Sequence, residues 1–201
     1  MKKSKIIVLV GKCASGKSTL MKELSSFKEF NKVVTYTTRP KRVDEVEGDD
    51  YLFVSDEMFD NILKDSNTFG ATEYNVNGKK FRYTFSKNLI RDDMHNIMVV
   101  NPIGLKEMMN DSSLVERLCI IYVQSTLGER IAKYLIRENK TDEAYKNLMA
   151  RLLQDEKDFA DIDTTILNVI PHIDYHNHYN TKETIAMAKN IQMYFGVYEK
   201  L

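Results

Sequence analysis

The sequence has few cysteines, no excess charge of either sign and no long apolar run. Its two cysteines, Cys13 and Cys119, are far apart and form no CxxC pair, which argues against a disulfide framework and favours a reduced, cytoplasmic setting. The 29 basic and 29 acidic residues balance, so no overall field draws the chain to a nucleic-acid backbone. Because no run approaches the roughly 18 apolar residues of a membrane span, we expect neither a membrane nor a nucleic acid as partner.

The amino-terminal stretch "MKKSKIIVLVG" begins like a signal peptide, but its apolar run has only five residues and ends in a glycine-rich turn. We therefore interpret residues 6–10 as a first strand. A chain of 201 residues, of which 43% are apolar and 29% charged, is typical of one sizeable globular core with a small insertion.

Short apolar segments alternate with helical patterns along the chain. This alternation predicts an α/β fold, a parallel sheet flanked by helices and joined by right-handed crossovers. The predicted strands are residues 6–10, 32–38, 96–100 and 117–123. The predicted helices are residues 17–27 and 104–110, a charged helical stretch at 125–160 with Thr141 as an internal N-cap, and residues 181–195.

Residues 39–85 interrupt this alternation. A polar loop at 39–50 is followed by a short strand at 51–55, whose last residue, Ser55, caps the next helix. A hairpin follows over residues 68–85, with Asn77-Gly78 at its turn. We therefore predict a core domain of residues 1–36 and 87–201 and a small antiparallel insertion of residues 37–86.

The stretch "GKCASGKS" lies between the first strand and the first helix and matches the phosphate-loop pattern G-x-x-x-x-G-K-[ST]. Gly11 and Gly16 let the backbone curl so that N–H groups point at phosphate oxygens, and the helix start adds its positive end. Lys17 is expected to reach the terminal phosphates of ATP, and Ser18 to offer a hydroxyl ligand to Mg²⁺. The predicted nucleotide-binding residues are Gly11, Lys12, Cys13, Ala14, Ser15, Gly16, Lys17, Ser18 and Thr19.

A second anion site is predicted in the polar loop that follows. Arg39 and Arg42 are three residues apart, and Tyr51 opens the next strand. Two guanidinium groups and a phenol hydroxyl can clamp a dianionic phosphate through charge-assisted hydrogen bonds. The alternative is that both arginines are surface groups paired with nearby carboxylates, for which the chain offers Glu45, Glu47, Asp49 and Asp50.

The order of residues around this loop resembles the signature of guanylate kinases, TTR-x-x-R-x-x-E-x-x-G-x-x-Y-x-F-V-S. The matching residues are Thr37, Thr38, Arg39, Arg42, Glu45, Gly48, Tyr51, Phe53, Val54 and Ser55. The resemblance covers most of the chain and is strong over residues 5–55. It implies a P-loop nucleoside monophosphate kinase fold with a helical lid. It also implies a divergent, phage-like or bacterial family member that phosphorylates GMP or dGMP with ATP and Mg²⁺.

The resemblance also implies roles for the acceptor residues. Arg39, Arg42 and Tyr51 would hold the phosphate of a nucleoside monophosphate, and Tyr83 would add a further hydroxyl. Thr35 falls where the family places a hydroxyl near the guanine base. Glu73 would accept hydrogen bonds from guanine N1–H and the 2-amino group, because a carboxylate only accepts and guanine presents two adjacent donors. The alternatives are a solvated hairpin carboxylate for Glu73 and a half-buried sheet aromatic for Tyr83.

The charged helical stretch at about 127–158 resembles the arginine-bearing lid of this family. Nucleotide kinases use such a lid to exclude water and to neutralise charge on the transferred group. Arg137 and Arg151 would reach the triphosphate, with Arg130 as a further candidate. The catalytic residues predicted are therefore Lys17, Arg39, Arg137 and Arg151. The alternative is an exposed helix with alternating charges.

One stretch departs from the family pattern. The family has the pattern D-x-D-x-x-G at the end of the strand that has the sequence "IMVV" in this chain. In this chain Val99 and Asn101 occupy the two acidic positions, and Gly104 is kept. The family's carboxylates help in base recognition and in organising Mg²⁺. Strict guanine specificity therefore stays open. The alternatives are a kinase for another nucleoside monophosphate or a ribose phosphate, and a binding module without catalysis.

The carboxy-terminal region holds three histidines, His172, His176 and His178. No cysteine or close carboxylate cluster completes a metal site with them, so we expect surface histidines. The family's asparagine near the nucleoside of ATP corresponds to Asn177 or Asn180, and the pattern does not choose between them. We expect small nucleotides as ligands and a monomer or a homodimer.

Overall fold

The computed structural model describes residues 4–76, 78–138, 140–162, 167, 171–178 and 180–197. The strands are β1 (Ile6–Val10), β2 (Phe30–Lys32), β3 (Tyr36–Thr37), β4 (Leu52–Phe53), β5 (Thr68–Val76), β6 (Lys79–Ser86), β7 (His95–Val99), β8 (Leu118–Gln124) and β9 (His172–His176). The α-helices are α1 (Lys17–Ser25), α2 (Asp56–Ile62), α3 (Pro102–Asn110), α4 (Leu127–Arg137), α5 (Asp142–Asp158) and α6 (Thr181–Val197).

The main sheet has five parallel strands in the order β2-β7-β1-β8-β9. Its central strand, β1, is fully buried because both of its faces are covered, as its unbroken apolar run predicts. Ile6, Val8 and Val10 belong to one core cluster, while Ile7 and Leu9 pack with α1 and α6 on the other face. The phosphate loop leaves β1 at its carboxyl end, where ligands bind in open parallel sheets.

Two features of this sheet differ from the prediction. Residues 32–38 are not one strand, because β2 ends at Lys32 and β3 belongs to a second sheet, with Val33 and Val34 buried between them. The edge strand β9 was not predicted. It pairs only with β8 and buries only Tyr175, so its sequence lacks the apolar run typical of an interior strand.

The second sheet has the order β4-β3-β6-β5 and lies within residues 36–86. The predicted antiparallel pairing is confirmed for β3–β6 and β5–β6, whereas β3 and β4 run parallel, which was not predicted. The long polar loop between β3 and β4 permits this, whereas a tight turn would reverse the chain. Ser55 caps α2 as predicted, since its side chain accepts a hydrogen bond from the Met58 N–H. Asn77 of the predicted turn lies outside the described residues.

Helices α4 and α5 lie in the charged helical stretch predicted at 125–160, and we call them the lid helices after the role that the resemblance implies for this stretch. The Thr126 side chain and Glu129 form a capping box at the start of α4. Thr141 caps α5 as predicted, accepting from the Ala144 N–H at 3.1 Å. Helix α5 contacts both the phosphate loop and β5, so it joins the two halves of the site. Among the described helices, none has the length and apolar composition to span a bilayer.

Candidate functional site

The phosphate loop adopts the curled backbone that its glycines predict. Gly16 has φ 101° and Ala14 has φ 58°, both in the left-handed region. A Cβ added at Gly11 would lie 2.2 Å from the Val123 carbonyl oxygen of β8. Glycine is therefore required at this position for the loop to leave β1 so close to the neighbouring strand.

Lys17 folds back over the mouth of this loop. Its Nζ donates to the carbonyl oxygens of Gly11 at 2.7 Å and Lys12 at 2.9 Å. Burial lowers the pKa of the Lys17 ammonium, while the neighbouring Cys13 and Asp155 side chains oppose that shift. The two carbonyl contacts thus hold Nζ at the mouth of the loop, where a phosphate can approach it.

Two residues of the lid helices, Asp155 and Arg130, bind the backbone of Cys13 in the loop. The Asp155 carboxylate of α5 accepts from the Cys13 N–H at 2.9 Å and from Arg130 Nη1 at 2.7 Å, and Arg130 also donates to the Cys13 carbonyl at 3.3 Å. Both side chains are buried, with 4% exposure for Arg130 and 8% for Asp155. Burial raises the pKa of Asp155, and the Cys13 N–H and Arg130 work against that rise. The structure thus brings Arg130, the further candidate, to the loop.

Asn177 lies directly under the loop. Its Nδ2 donates to the Ser15 carbonyl oxygen at 2.9 Å, and its side chain is buried, whereas Asn180 is exposed. The structure therefore places Asn177, and not Asn180, at the nucleotide loop. A cavity of about 290 Å³ opens beside the phosphate loop. The residues that line this cavity belong to the loop, the end of β8 and the lid helices, and they include Lys12, Ser15, Gln124, Arg130 and Glu156.

The predicted acceptor site is organised around Arg39. Its guanidinium makes a bidentate contact with Glu45, at 2.6 and 3.0 Å, and a further bond to the Pro40 carbonyl at 2.8 Å. Arg39 thus pairs with Glu45, as the alternative interpretation predicted. It is buried, however, whereas that interpretation made it a surface group. Burial disfavours its charge, but the Glu45 contact and nearby phenols outweigh this, and the pKa of Arg39 is raised. A fixed guanidinium that retains its charge is suited to an anion.

A row of aromatic side chains extends from Arg39. The Arg39 guanidinium lies 5.1 Å from the Tyr51 ring, the Tyr51 and Tyr83 rings are 6.1 Å apart, and the Tyr83 and Tyr74 rings are 5.6 Å apart. Arg151 of α5 lies 5.2 Å from the Tyr74 ring. Burial raises the pKa of Tyr51, so its hydroxyl stays protonated. The structure thus brings Arg39, Tyr51, Tyr83 and Arg151 together.

Arg42 and Arg137 lie where the lid meets the insertion. Arg42 Nη2 is 3.2 Å from a Glu138 carboxylate oxygen, just beyond α4, and Arg42 Nη1 is 3.6 Å from Glu45. Arg137 is exposed, packs over the Tyr134 ring at 5.0 Å and donates to Glu138 at 2.9 Å. The Arg42–Glu138 pair therefore ties the two parts together at the edge of the site.

Glu73 is not brought to the site. Its partner across the β5–β6 ladder is Arg82, and its carboxylate lies 2.9 Å from Lys80 Nζ at the exposed surface. Tyr83 pairs with Thr72 instead, and successive side chains of a strand point to opposite faces. Glu73 therefore faces away from Tyr74 and Tyr83, and the alternative of a solvated hairpin carboxylate describes it. Thr35 lies just before β3, and its carbonyl accepts from the Leu52 N–H at 2.9 Å.

Ser18 is exposed in the first turn of α1, beside Lys17. A hydroxyl oxygen is a ligand type that Mg²⁺ accepts, and this ion keeps several waters and takes further oxygens from nucleotide phosphates. In the described part of the chain, no group of three or more His, Cys, Asp or Glu side chains could hold a metal ion. His176 and His178 are exposed as expected, and His172 is partly so.

Sequence reasoning missed four site residues: Thr72, Tyr74, Asp155 and Asp158. One signal was available for the lid, since Arg151, Asp155 and Asp158 have the spacing i, i+4, i+7 and share one face of α5. The Tyr74 hydroxyl lies 3.5 Å from an Asp158 oxygen. In β5, side chains two residues apart lie on the same face, so the sequence places Thr72 and Tyr74 together. It does not determine which face of the strand meets the site.

This chain is similar to several known proteins. The family model described as "Guanylate kinase" matches residues 3–169. A guanylate kinase of Mycoplasma genitalium is 27% identical over 79% of this chain and 65% of that protein, just under two thirds of its length. One of Wigglesworthia glossinidia brevipalpis is 26% identical over 94% of this chain and 90% of that protein. The crystal structure of guanylate kinase from Anaplasma phagocytophilum superposes with a TM-score of 0.61 at 19% identity, covering 94% of this chain and 84% of that one.

Proposed function

This chain belongs to the guanylate kinase family of nucleoside monophosphate kinases, and we propose that it transfers the terminal phosphoryl group of ATP to GMP or dGMP. The donor would bind the phosphate loop at residues 11–19. The acceptor phosphate would bind Arg39, Tyr51 and Tyr83, with Arg42 at the rim.

The observation that carries this proposal is that α5 contacts both anion sites. Asp155 accepts from the loop amide of Cys13, and Arg151 lies against Tyr74 beside Tyr83. The two α5 residues are four positions apart, which is a rise of roughly 6 Å along a helix. Both predicted phosphate sites therefore have a contact on the same face of α5, an arrangement that supports direct transfer between two bound nucleotides.

Positioning and positive charge account for the chemistry. The acceptor oxygen belongs to a phosphate that is already ionised near neutral pH, so no strong general base is needed. Lys17 and Arg151 would neutralise charge on the transferred group from the donor and acceptor sides, with Arg39 orienting the acceptor and Arg137 approaching from the lid. The Arg42–Glu138 pair would hold the lid closed and keep water out.

The finer assignments belong to the same proposal. Ser18 fits Mg²⁺ as a hydroxyl ligand beside the loop, and the ion would supply charge neutralisation on the triphosphate when bound. We also propose a cytoplasmic location, on the two unpaired cysteines, and a monomer or homodimer with no nucleic-acid partner.

A coupled assay of ADP release tests the proposal. The full chain is given ATP, Mg²⁺ and one acceptor at a time: GMP, dGMP, AMP, CMP, UMP or ribose 5-phosphate. GMP or dGMP should have the highest kcat/KM. Lys17→Met should lower kcat by at least about 100-fold, as expected for the loss of a charge that acts on the transferred group.

The matched control is Lys22→Met, an exposed lysine of the same helix, which should retain activity. If GMP and dGMP are the poorest acceptors, the proposed substrate is wrong. ATP binding without turnover of any acceptor would instead favour the binding module.

A further inference from the structure

A carboxylate of helix α5 is bound to the backbone of the phosphate loop. Both Asp155 oxygens lie within hydrogen-bonding distance of the Cys13 N–H, at 2.9 and 3.1 Å. Arg130 of α4 donates to the same carboxylate at 2.7 Å and to the Cys13 carbonyl oxygen at 3.3 Å. The two polar groups of the Cys13 backbone are therefore both bound by side chains of the lid helices. We call this arrangement the carboxylate latch (Cys13, Arg130 and Asp155).

The carboxylate latch lies where the outer phosphates of a bound nucleotide are expected. In loops of this pattern the lysine reaches the β- and γ-phosphates. Here Lys17 Nζ is bound to the carbonyl oxygens of Gly11 and Lys12, the two residues directly before Cys13. The inner phosphates would instead meet the N–H groups at the start of α1. The Cys13 N–H therefore lies toward the terminal phosphate of the donor.

The charges at the carboxylate latch are better matched by a phosphate than by a carboxylate. Burial lowers the pKa of the Lys17 ammonium, the Cys13 thiol and the Asp155 carboxylate oppose that shift, and Arg130 adds to it. Two cations, Lys17 and Arg130, thus lie close to one carboxylate. A terminal phosphate carries about two negative charges and three acceptor oxygens, so it satisfies both cations and the Cys13 N–H together.

Displacement of Asp155 is energetically accessible because the carboxylate is held in a buried place. Arg130 and Asp155 are 4% and 8% exposed. Burial raises the pKa of Asp155, although the Cys13 N–H and Arg130 act against that rise. A buried ion pair gains little net stability once its desolvation is counted. An anion of higher charge can therefore replace the carboxylate at modest cost.

A second contact between the same two segments keeps α5 beside the loop. Lys12, the residue before Cys13, pairs with Glu156, the residue after Asp155, at 2.6 Å. This pair lies at the surface and does not involve the loop backbone, since the Glu156 side chain is 68% exposed. The Asp155 side chain can therefore leave Cys13 without separating the helix from the loop.

We propose that the Asp155 carboxylate occupies the place of the donor's terminal phosphate, and that a nucleoside triphosphate displaces it from the Cys13 N–H whereas a nucleoside diphosphate leaves it there. This inference rests on the proposed function, since it concerns the donor of that reaction. Arg130, released from Asp155, then pairs with the terminal phosphate. ATP binding includes the cost of displacing the carboxylate, whereas ADP binding does not, so Asp155 sets the relative affinity for the two nucleotides.

The binding test compares ATP and ADP, each with Mg²⁺ and without an acceptor, by calorimetric titration of the unaltered chain and Asp155→Asn. Asparagine keeps the size of the side chain and an oxygen that accepts from the Cys13 N–H, but it lacks the competing charge. The Kd for ATP should fall at least about fivefold relative to the Kd for ADP, because a charge-assisted bond no longer competes with the terminal phosphate. Equal changes for both nucleotides, or weaker ATP binding by the folded variant, would overturn the proposal.

Glu156→Gln is the matched control. It removes one carboxylate from the next position of the same helix, where the charge is exposed and does not contact the loop backbone. The ATP/ADP affinity ratio should therefore stay as it is in the unaltered chain. A rise equal to that of Asp155→Asn would assign the effect to the overall charge of α5 and reject the carboxylate latch.

A second measurement needs no variant. Asp155→Asn leaves Arg130 buried without a charged partner, so far-UV circular dichroism is used to establish that this variant is folded. A crystal structure of the unaltered chain with β,γ-imido-ATP and Mg²⁺ tests the displacement directly. A terminal phosphate oxygen should accept from the Cys13 N–H, with Asp155 beyond hydrogen-bonding distance. Asp155 still bound to Cys13 in this complex would overturn the proposal, whether or not the variant folds.

The outcomes also separate this inference from the proposed function. Turnover of GMP or dGMP by a chain that keeps the Asp155–Cys13 contact in its ATP complex would leave the kinase assignment intact and remove only the role of Asp155. Absence of ATP binding by the unaltered chain would contradict both.

Discussion

The buried pair Arg130–Asp155 gives the sharpest stability prediction. Arg130 is 4% exposed and Asp155 8%, and they are joined at 2.7 Å. Asp155→Ala leaves the guanidinium buried with the Cys13 carbonyl at 3.3 Å, and it removes the acceptor of the Cys13 N–H. Breaking one side of a buried ion pair costs about 3–5 kcal/mol. At roughly 2–4 °C per kcal/mol for a chain of this size, the melting temperature should fall by about 6–20 °C.

Removal of both charges should lower the free energy of unfolding much less than Asp155→Ala does. Burial raises the pKa of Asp155, which shows that the carboxylate is desolvated at some expense. The double variant Arg130→Met/Asp155→Leu replaces the pair by apolar groups of similar size, a change that is often close to neutral. The stability of the double variant should therefore exceed that of Asp155→Ala, and the cycle completed with the single variants Arg130→Met and Asp155→Leu should show a coupling of about 0.5–3 kcal/mol.

Urea unfolding followed by far-UV circular dichroism measures these differences, because the chain has no tryptophan to report unfolding by fluorescence. Glu156→Ala is the matched control on α5. Its ion pair with Lys12 is at the surface, with the Glu156 side chain 68% exposed, and should contribute less than about 1 kcal/mol. A loss below about 1 kcal/mol for Asp155→Ala, or additive losses in the double variant, would refute the reasoning.

Two further predictions concern the loop and the effect of pH. Gly16→Ala should destabilise the fold and abolish ATP binding in a titration, because the position has φ 101° and the new Cβ would lie 1.9 Å from Asn177 Nδ2. Gly128→Ala, in α4 with open space around it, should be neutral or stabilise by about 0.5–1 kcal/mol. Lys87 lowers the pKa of Asp111 to about 2, so this pair stabilises the fold above about pH 4, the usual pKa of aspartate, and the benefit is lost as pH falls toward 2. Melting curves of Lys87→Met between pH 6 and pH 2 should therefore fall less steeply than those of the unaltered chain, and parallel curves would contradict the assignment.

The phosphate loop was predictable because all of its determinants are contiguous. The apolar run of β1, the glycines at 11 and 16 and the start of α1 lie within one stretch, and each acts on the local backbone. The proximity of Arg39 and Tyr51 was predictable in the same way, since their loop begins and ends in one short segment. The pairing of Arg39 with Glu45 is also local, and the sequence offered it as an alternative.

The hairpin shows why other residues were not predictable. The β5–β6 ladder is irregular between Phe69 and Thr72, and a shift of one residue moves every later side chain to the opposite face. Sequence alone does not place such an irregularity, so Glu73 was assigned to the cleft while Thr72 and Tyr74 were overlooked. The edge strand β9 was not predicted for a related reason, because a strand with only one neighbouring strand needs no continuous apolar run.

The sequence by itself determined the elements whose signals lie within a few residues: the first strand, the curled phosphate loop and the capped starts of α2 and α5. Backbone preference, capping and glycine freedom act over such distances, so the order of residues is sufficient to reveal them. Only the tertiary structure decided that Asp155 meets Cys13 and that Asn101 meets Thr72. These contacts depend on which face of a helix or strand is buried against a distant segment, and that choice is made by packing of the whole chain.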